Sequence, residues 1–248
     1  MTTAAIETRP AVSAALLARR LRDEHLLFLP GDTLGAMLAL RPDAVEDFAA
    51  YWPGLTLDRY MGDGGRYRLR RYGEFDAQPG AARRLLPHAP YEQPAYINSL
   101  NGGIARIFDP LEPGFAAHPV LDRVLDWLTK LVDHCEGHAQ RWNIRLHPYR
   151  ILARQDEPGR PTPEGLHRDG VDYIVSLLMT RHNVVGGATT VTDNAGRVLW
   201  HRTLQRPLDI MVGSDARTLH AVSPLAPIDS SLPAWRDVLV IAFSKVPA

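Results

Sequence analysis

The chain has one cysteine in 248 residues, Cys135, so neither a disulfide framework nor a cysteine-based zinc site is available. It has no excess of either charge: 28 Lys+Arg stand against 28 Asp+Glu, which argues against a general binder of nucleic acid or other polyanions. No apolar run approaches the ~20 residues of a membrane helix, so no membrane role is expected. The opening Met1–Ile6 lacks the charged and apolar regions of a secretory leader, and the expected location is the cytoplasm. Repeats and low-complexity tracts are also missing. What remains is a globular chain of a length suited to one large domain.

Helical spacing dominates the first part. Leu16, Leu17, Leu21 and Leu26–Leu27 predict a helix over residues 11–29, ended by Pro30-Gly31, and residues 43–51 suit a second. Residues 118–133 carry Val120, Leu121, Val124, Leu125, Leu128, Leu131 and Val132 on one face, a well-formed amphipathic helix. Residues 66–72 alternate Arg66, Arg68 and Arg70 with Tyr67 and Leu69, the pattern of a half-exposed strand whose arginines suit a solvated face or intramolecular pairing better than a phosphate-binding stripe. After residue 141 the chain becomes a series of short β-type runs: 143–153, 172–180, 187–192, 196–204, 208–213, 217–223 and 236–244. Strands at this spacing with no helices between them predict an antiparallel sandwich or barrel. The expected architecture is mainly β with flanking helices. It is a single domain over 1–248, a helix-rich part of about 1–140 packed on a β part of about 141–248.

Among ten histidines, His167 carries the chemistry, in Glu164-Gly-Leu-His167-Arg168-Asp169-Gly170. In an extended segment, residues i and i+2 project from one face, so His167 and Asp169 can reach one metal ion. About one His-x-acid pair is expected by chance in this composition, so the pattern needs support. A second copy, His134-Cys135-Glu136, sits at the end of the strong helix, where i and i+2 point about 200° apart and cannot converge; His134 suits a helix C-terminal cation. His167-Arg168-Asp169 also matches the protein-kinase catalytic tripeptide, but Ile174 replaces the required asparagine and no glycine-rich loop precedes it. His220, flanked by apolar residues in a β-type run, is the candidate third ligand of a two-histidine, one-carboxylate set. Arg236 opens the last strand and suits a bidentate grip on a carboxylate. The other histidines, His147 among them, read as surface or packing residues.

The order His-x-Asp, about fifty residues to His, then arginine on the final strand resembles the Fe(II)/2-oxoglutarate-dependent dioxygenases. The run Pro163–Ile174, with Tyr67–Tyr72, Gly102–Arg106, His147–Arg150, Arg181–Gly187 and Arg236–Val240, is similar to the bacterial free-amino-acid hydroxylase branch that includes L-isoleucine 4-hydroxylase. The resemblance covers most of residues 55–245. It implies a double-stranded β-helix (jelly-roll) core, and Fe(II) held by His167, Asp169 and His220. It also implies that Arg236 grips 2-oxoglutarate, and that 2-oxoglutarate and O2 are consumed to hydroxylate a small-molecule substrate. Halogenating relatives carry a small residue in place of Asp169, so hydroxylation is the expected outcome. The expected substrate is a free, aliphatic L-amino acid, its carboxylate met by Arg168 or Arg150 and its ammonium by Glu164 or Asp172. The alternatives are the same chemistry on a peptide or carrier-bound aminoacyl group, and a non-catalytic jelly-roll binding module.

Overall fold

The computed structural model describes residues 14–94 and 102–247. Helices α1 (Ala14–Glu24), α2 (Gly31–Met37), α3 (Pro42–Ala49), α4 (Pro113–Ala116) and α5 (Pro119–Glu136) belong to the first part of the chain. The α5 helix is delimited as its sequence demands. His118 caps it by accepting the Val120 N–H, Pro119 occupies the first turn, and Gly137 closes it at φ 80°. Its apolar stripe is fully buried.

The helix expected over 11–29 is only half right. Positions 11–13 lie outside the described residues, and α1 ends at Glu24 because His25 turns left-handed at φ 60°. Leu26–Leu29 then form strand β1. A short run buried on both sides satisfies strand as well as helix, and pairing with a later strand decides between them.

Strands β2 (Thr56–Leu57), β3 (Arg68–Arg70), β4 (Gly73–Ala77) and β5 (Arg84–Leu85) precede α4. The later strands are β6 (Trp142–Leu152), β7 (Tyr173–His182), β8 (Val184–Gly186), β9 (Ala188–Asp193), β10 (Val198–Thr203), β11 (Ile210–Ser214), β12 (Thr218–Val222), β13 (Leu225–Pro227) and β14 (Trp235–Lys245); all but the short β8 and β13 follow the expected runs. One antiparallel sheet has the order β1-β11-β7-β14-β6-β3-β2, with β4 also on β6 and β5 on β4. A second has the order β10-β9-β12, and β13 pairs with β8. These mainly antiparallel sheets match the expected sandwich or barrel and form the jelly roll that the resemblance implies.

Period-two alternation gives the large sheet two different faces. Leu239, Ile241 and Phe243 of β14, Ile144 and Leu146 of β6, and Val175 and Leu177 of β7 pack with α1 and α5 in one continuous core. The intervening residues line a cavity: Arg236, Val238, Val240 and Ala242 of β14, His147, Tyr149 and Ile151 of β6, and Ile174 and Ser176 of β7. Smaller apolar clusters flank that cavity, one around Leu178, Val191 and Met211 and one around Ile151, Val184 and Leu225.

Asp209 ties the helical layer to this sheet. Its buried carboxylate accepts the backbone N–H groups of Gly31 (2.8 Å), Gln205 (2.8 Å) and Arg206 (3.0 Å). Asp209→Ala leaves three donors unserved and is expected to cost on the order of 3 kcal/mol. In urea unfolding the midpoint should fall while the slope stays constant.

Candidate active site

Two backbone hydrogen bonds bring the separated histidines together. His167 N–H donates to His220 C=O (3.0 Å), and His220 N–H donates back to His167 C=O (2.8 Å). The segment before β7 thereby meets β12 in a single antiparallel bridge, and the two imidazole centroids lie 4.4 Å apart. Asp169 is then turned toward them by Asp215. The buried Asp215 carboxylate accepts N–H groups from Asp169 (3.0 Å), Gly170 (2.7 Å) and Val171 (3.0 Å), while Gly170 takes φ 76°. One ligand atom from each of His167, Asp169 and His220 lies within 4.8 Å of the others, and Asp169 Oδ2 is 3.4 Å from His220 Nε2.

The electrostatics differ among the three groups, and burial raises the pKa of Asp169 against the lowering by His167. Burial, reinforced by the neighbouring His167, pulls the His220 pKa down to about 3, so its ring is neutral. Burial also lowers His167, but Asp169 and Glu164 outweigh it and the net shift is upward. His167 Nδ1 faces the Gly165 carbonyl at 2.9 Å, which fixes that nitrogen as N–H and leaves Nε2 as the lone-pair donor. Asp169 Oδ2 and His220 Nδ1 are buried without hydrogen-bond partners. Unpartnered buried acceptors are costly, and a divalent cation would satisfy the carboxylate. Two imidazoles and one carboxylate on one side of a cavity are the donor set of a non-haem Fe(II) centre with open positions, so the residues present fit the ion.

Arg236 lies in the same cavity, 2% exposed, its Nε without a partner. Burial and the nearby Arg181 lower its pKa to about 10, so it stays charged at neutral pH and lacks a full counter-ion. The Gly186-Gly187 turn packs over it. A Cβ on Gly187, whose φ is +72°, would meet Leu225 at 2.7 Å and Arg236 Cδ at 3.6 Å.

The expected substrate anchors separate. Glu164 lines the cavity, with Oε1 3.5 Å from His167 Nε2 and Oε2 buried without a partner. Arg150, Arg168 and Asp172 are placed elsewhere. Arg150 points to the other side of β6, where Asp237 takes both its Nε (2.7 Å) and Nη2 (2.8 Å). Arg168 reaches outward to Asn194 (2.9 Å), and Asp172 is held by the Lys245 N–H (2.8 Å) and side chain (3.5 Å). Of the two readings of the arginines near β3, intramolecular pairing holds for Arg68 and Arg70 and the solvated face for Arg66 alone. Arg66 is exposed, whereas Arg68 and Arg70 are buried in the cavity wall, because Asp58 inside the fold pairs with Arg68 at 2.7 Å. His147, read as a surface or packing residue, lines the cavity too, as do Tyr91, Gln93 and Arg106, which carried no sequence signal beyond the Gly102–Arg106 resemblance.

A family model described as 2OG-Fe dioxygenase matches residues 49–242. The 3(1)-hydroxy-L-isoleucine 4-dioxygenase of Pantoea ananatis is 26% identical over 238 residues, covering 92% of this chain and 95% of that protein. The crystal structure of a bsmA homolog from Methylobium petroleophilum PM1 superposes with a TM-score of 0.86 at 33% identity, covering 98% of this chain and 99% of the other. IDO from Bacillus thuringiensis shares the fold at 18% identity, with a TM-score of 0.80, 98% of this chain and 100% of the other covered. A model match across most of the chain, a full-length relative at 33% identity and a fitting donor set leave one conclusion: this protein belongs to the 2OG-Fe dioxygenase family, enzymes that work with Fe(II), 2-oxoglutarate and O2.

Proposed function

We propose that the protein hydroxylates a side-chain carbon of a free, aliphatic L-amino acid. In this reading His167, Asp169 and His220 hold Fe(II), and Arg236 takes the distal carboxylate of 2-oxoglutarate. When bound, iron and cosubstrate supply the oxidising chemistry: O2 is reduced, 2-oxoglutarate becomes succinate and CO2, and one oxygen atom enters a C–H bond of the substrate. The observation that carries the reading is the His-Asp-His cluster opening into the same cavity as Arg236, an arginine with an unpartnered Nε. A carboxylate on that guanidinium would restore the balance that burial upsets.

The remaining residues define the space around the reacting carbon. Val238, Val240, Ala242, Ile174 and Val171 give the cavity an apolar floor, suited to an aliphatic chain and to exclusion of water. Glu164, with its buried unpartnered oxygen, is suited to an ammonium group. The Pantoea relative acts on a hydroxylated isoleucine, and the polar and apolar sides of this cavity are compatible with a substrate of that kind. Retention of Asp169 favours hydroxylation, because a carboxylate occupies the position that a halide would need.

Purified protein given Fe(II), ascorbate, 2-oxoglutarate and a panel of free amino acids is expected to add one oxygen to an aliphatic member, read by mass spectrometry. Acetylating the amine of that substrate should lower kcat/KM at least tenfold. A peptide or acetylated form that reacted better than every free amino acid would reverse the substrate assignment. His220→Ala should abolish both turnover and bound iron while leaving the circular dichroism spectrum unchanged. Arg236→Lys keeps the charge but loses the planar fork, and should raise the KM for 2-oxoglutarate about tenfold, with a smaller change in kcat.

A further inference from the structure

The cavity contains more buried positive charge than its own carboxylates account for. Arg68, Arg70 and Arg106 are 7%, 1% and 2% exposed. Among the described residues, Asp58 is the one carboxylate within 4.0 Å of any of them. It lies 2.7 Å from Arg68 Nη2, which it serves fully, and 3.8 Å from Arg70 Nη1. The undescribed stretch next to Gln93, residues 95–101, contains no acidic residue, and residues 1–13 contain one, Glu7. Arg106 has no carboxylate in that range. Its Nη2 donates to Gln93 Oε1 (2.8 Å) and its Nε has no partner.

Arg70 is in a similar position. Its Nε is unpartnered, and its Nη2 donates to Nδ1 of His147. Burial first, and then Arg70 itself, hold His147 well below its ordinary pKa, so the ring accepts this bond as a neutral imidazole and adds no compensating charge. Aromatic faces fix both guanidinium groups: Arg70 lies 3.7 Å from the Phe108 centroid and Arg106 4.7 Å from that of Tyr91. Such contacts orient a cation without neutralising it. A buried charge kept in place without its counter-ion is expensive to the fold, and fixed, unsatisfied guanidinium forks are suited to binding a carboxylate. Gln93 also gives the pair a defined relation to the metal-ligand loop, since its Nε2 donates to the Asp169 carbonyl (3.3 Å). An anion held by Arg106 therefore sits within one side chain of that loop.

We propose that Arg106 and Arg70, framed by Gln93 and His147, form the carboxylate subsite for the oxidised substrate, separate from Arg236. The ligand class is a small monocarboxylic acid whose carboxylate lies close to the Asp169 loop, so the carbon that reacts is only a few bonds from it. The inference rests on the dioxygenase reading above and sharpens it. The acid group is an obligatory handle, and an amine alone does not confer binding.

The test uses the full chain and the best free amino acid from the panel. Its primary amide, which lacks the carboxylate, should lose at least thirtyfold in kcat/KM. Arg106→Gln should raise the KM for the amino acid at least tenfold and shift the KM for 2-oxoglutarate less than twofold, with Arg106→Lys intermediate. An amide as good as the acid, or an Arg106→Gln enzyme whose amino-acid KM stays within twofold, overturns the subsite. So does a variant whose main defect is toward 2-oxoglutarate, because Arg106 would then belong to the cosubstrate. If Arg106→Gln fails to fold, Arg106→Lys and the amide comparison on the unmodified enzyme decide. If no free amino acid reacts, the amino-acid reading fails, and the subsite is judged by calorimetric titration with 4-methylpentanoate and 4-methylpentanamide. Binding of the acid alone, weakened at least tenfold by Arg106→Lys, sustains it; binding of neither, or of both equally, overturns it.

Discussion

The site depends on the reciprocal backbone pairing of His167 with His220. These residues are more than fifty positions apart, and each histidine donates its N–H to the carbonyl of the other. The bonding positions backbone first, and the rings follow because directly paired residues of an antiparallel ladder project to the same side. Asp215 completes the arrangement by gathering three successive N–H groups, which folds the chain tightly after His167 and presents Asp169 to the rings. A buried carboxylate is costly unless it is fully hydrogen-bonded. Here the three bonds that offset its burial also shape the loop, so one group secures both folding and geometry.

The same period-two alternation that builds the core builds the cavity. On β14, odd positions such as Leu239 and Ile241 face the helices, while Arg236, Val238 and Val240 face inward. A shift of one residue would exchange the two sets and place an arginine in the apolar core. The register against β6, with Arg236 opposite Ile151 and Val240 opposite His147, thus decides which side chains line the cavity as well as which fill the core. The price of the cavity is a group of buried cations held by aromatic stacking and a few acceptors, an arrangement suited to an anion.

Features legible in the sequence were those with local determinants. The α5 stripe, its proline start and its glycine stop are read directly. The strand-rich second half is equally plain, and His167, Asp169 and His220 stood out by residue type and order. What escaped was decided by distant partners. Arg66, Arg68 and Arg70 present one alternating pattern, yet Asp58, ten residues upstream of Arg68, draws two of them inside and leaves Arg66 at the surface. Arg150 looked suited to the pocket until Asp237, opposite it on β14, claimed both ends of its fork. In each case the direction of the side chain was set by a carboxylate outside its own strand, which the alternation of the strand itself does not reveal.

The polar groups of the cavity divide by the kind of structure that carries them. Arg236, Arg70, His147 and Tyr149 sit on strands locked into the main sheet, whereas Glu164, Gln93 and Arg106 lie in connecting segments. Strand positions are fixed by register and are hard to move without disturbing the core on the opposite face. Connecting segments tolerate change more readily. Arg106 is intermediate, tied by paired backbone bonds of 2.8 and 3.0 Å to Tyr91, with Gln93 two residues beyond. A change in that short bridge would redirect the guanidinium and its amide partner together, while the His167–His220 pairing and Arg236 stayed in place. The cavity wall is therefore of two kinds, with Arg236, Arg70 and His147 fixed by sheet register and His167, Asp169, Glu164, Gln93 and Arg106 carried on segments held by a few specific hydrogen bonds.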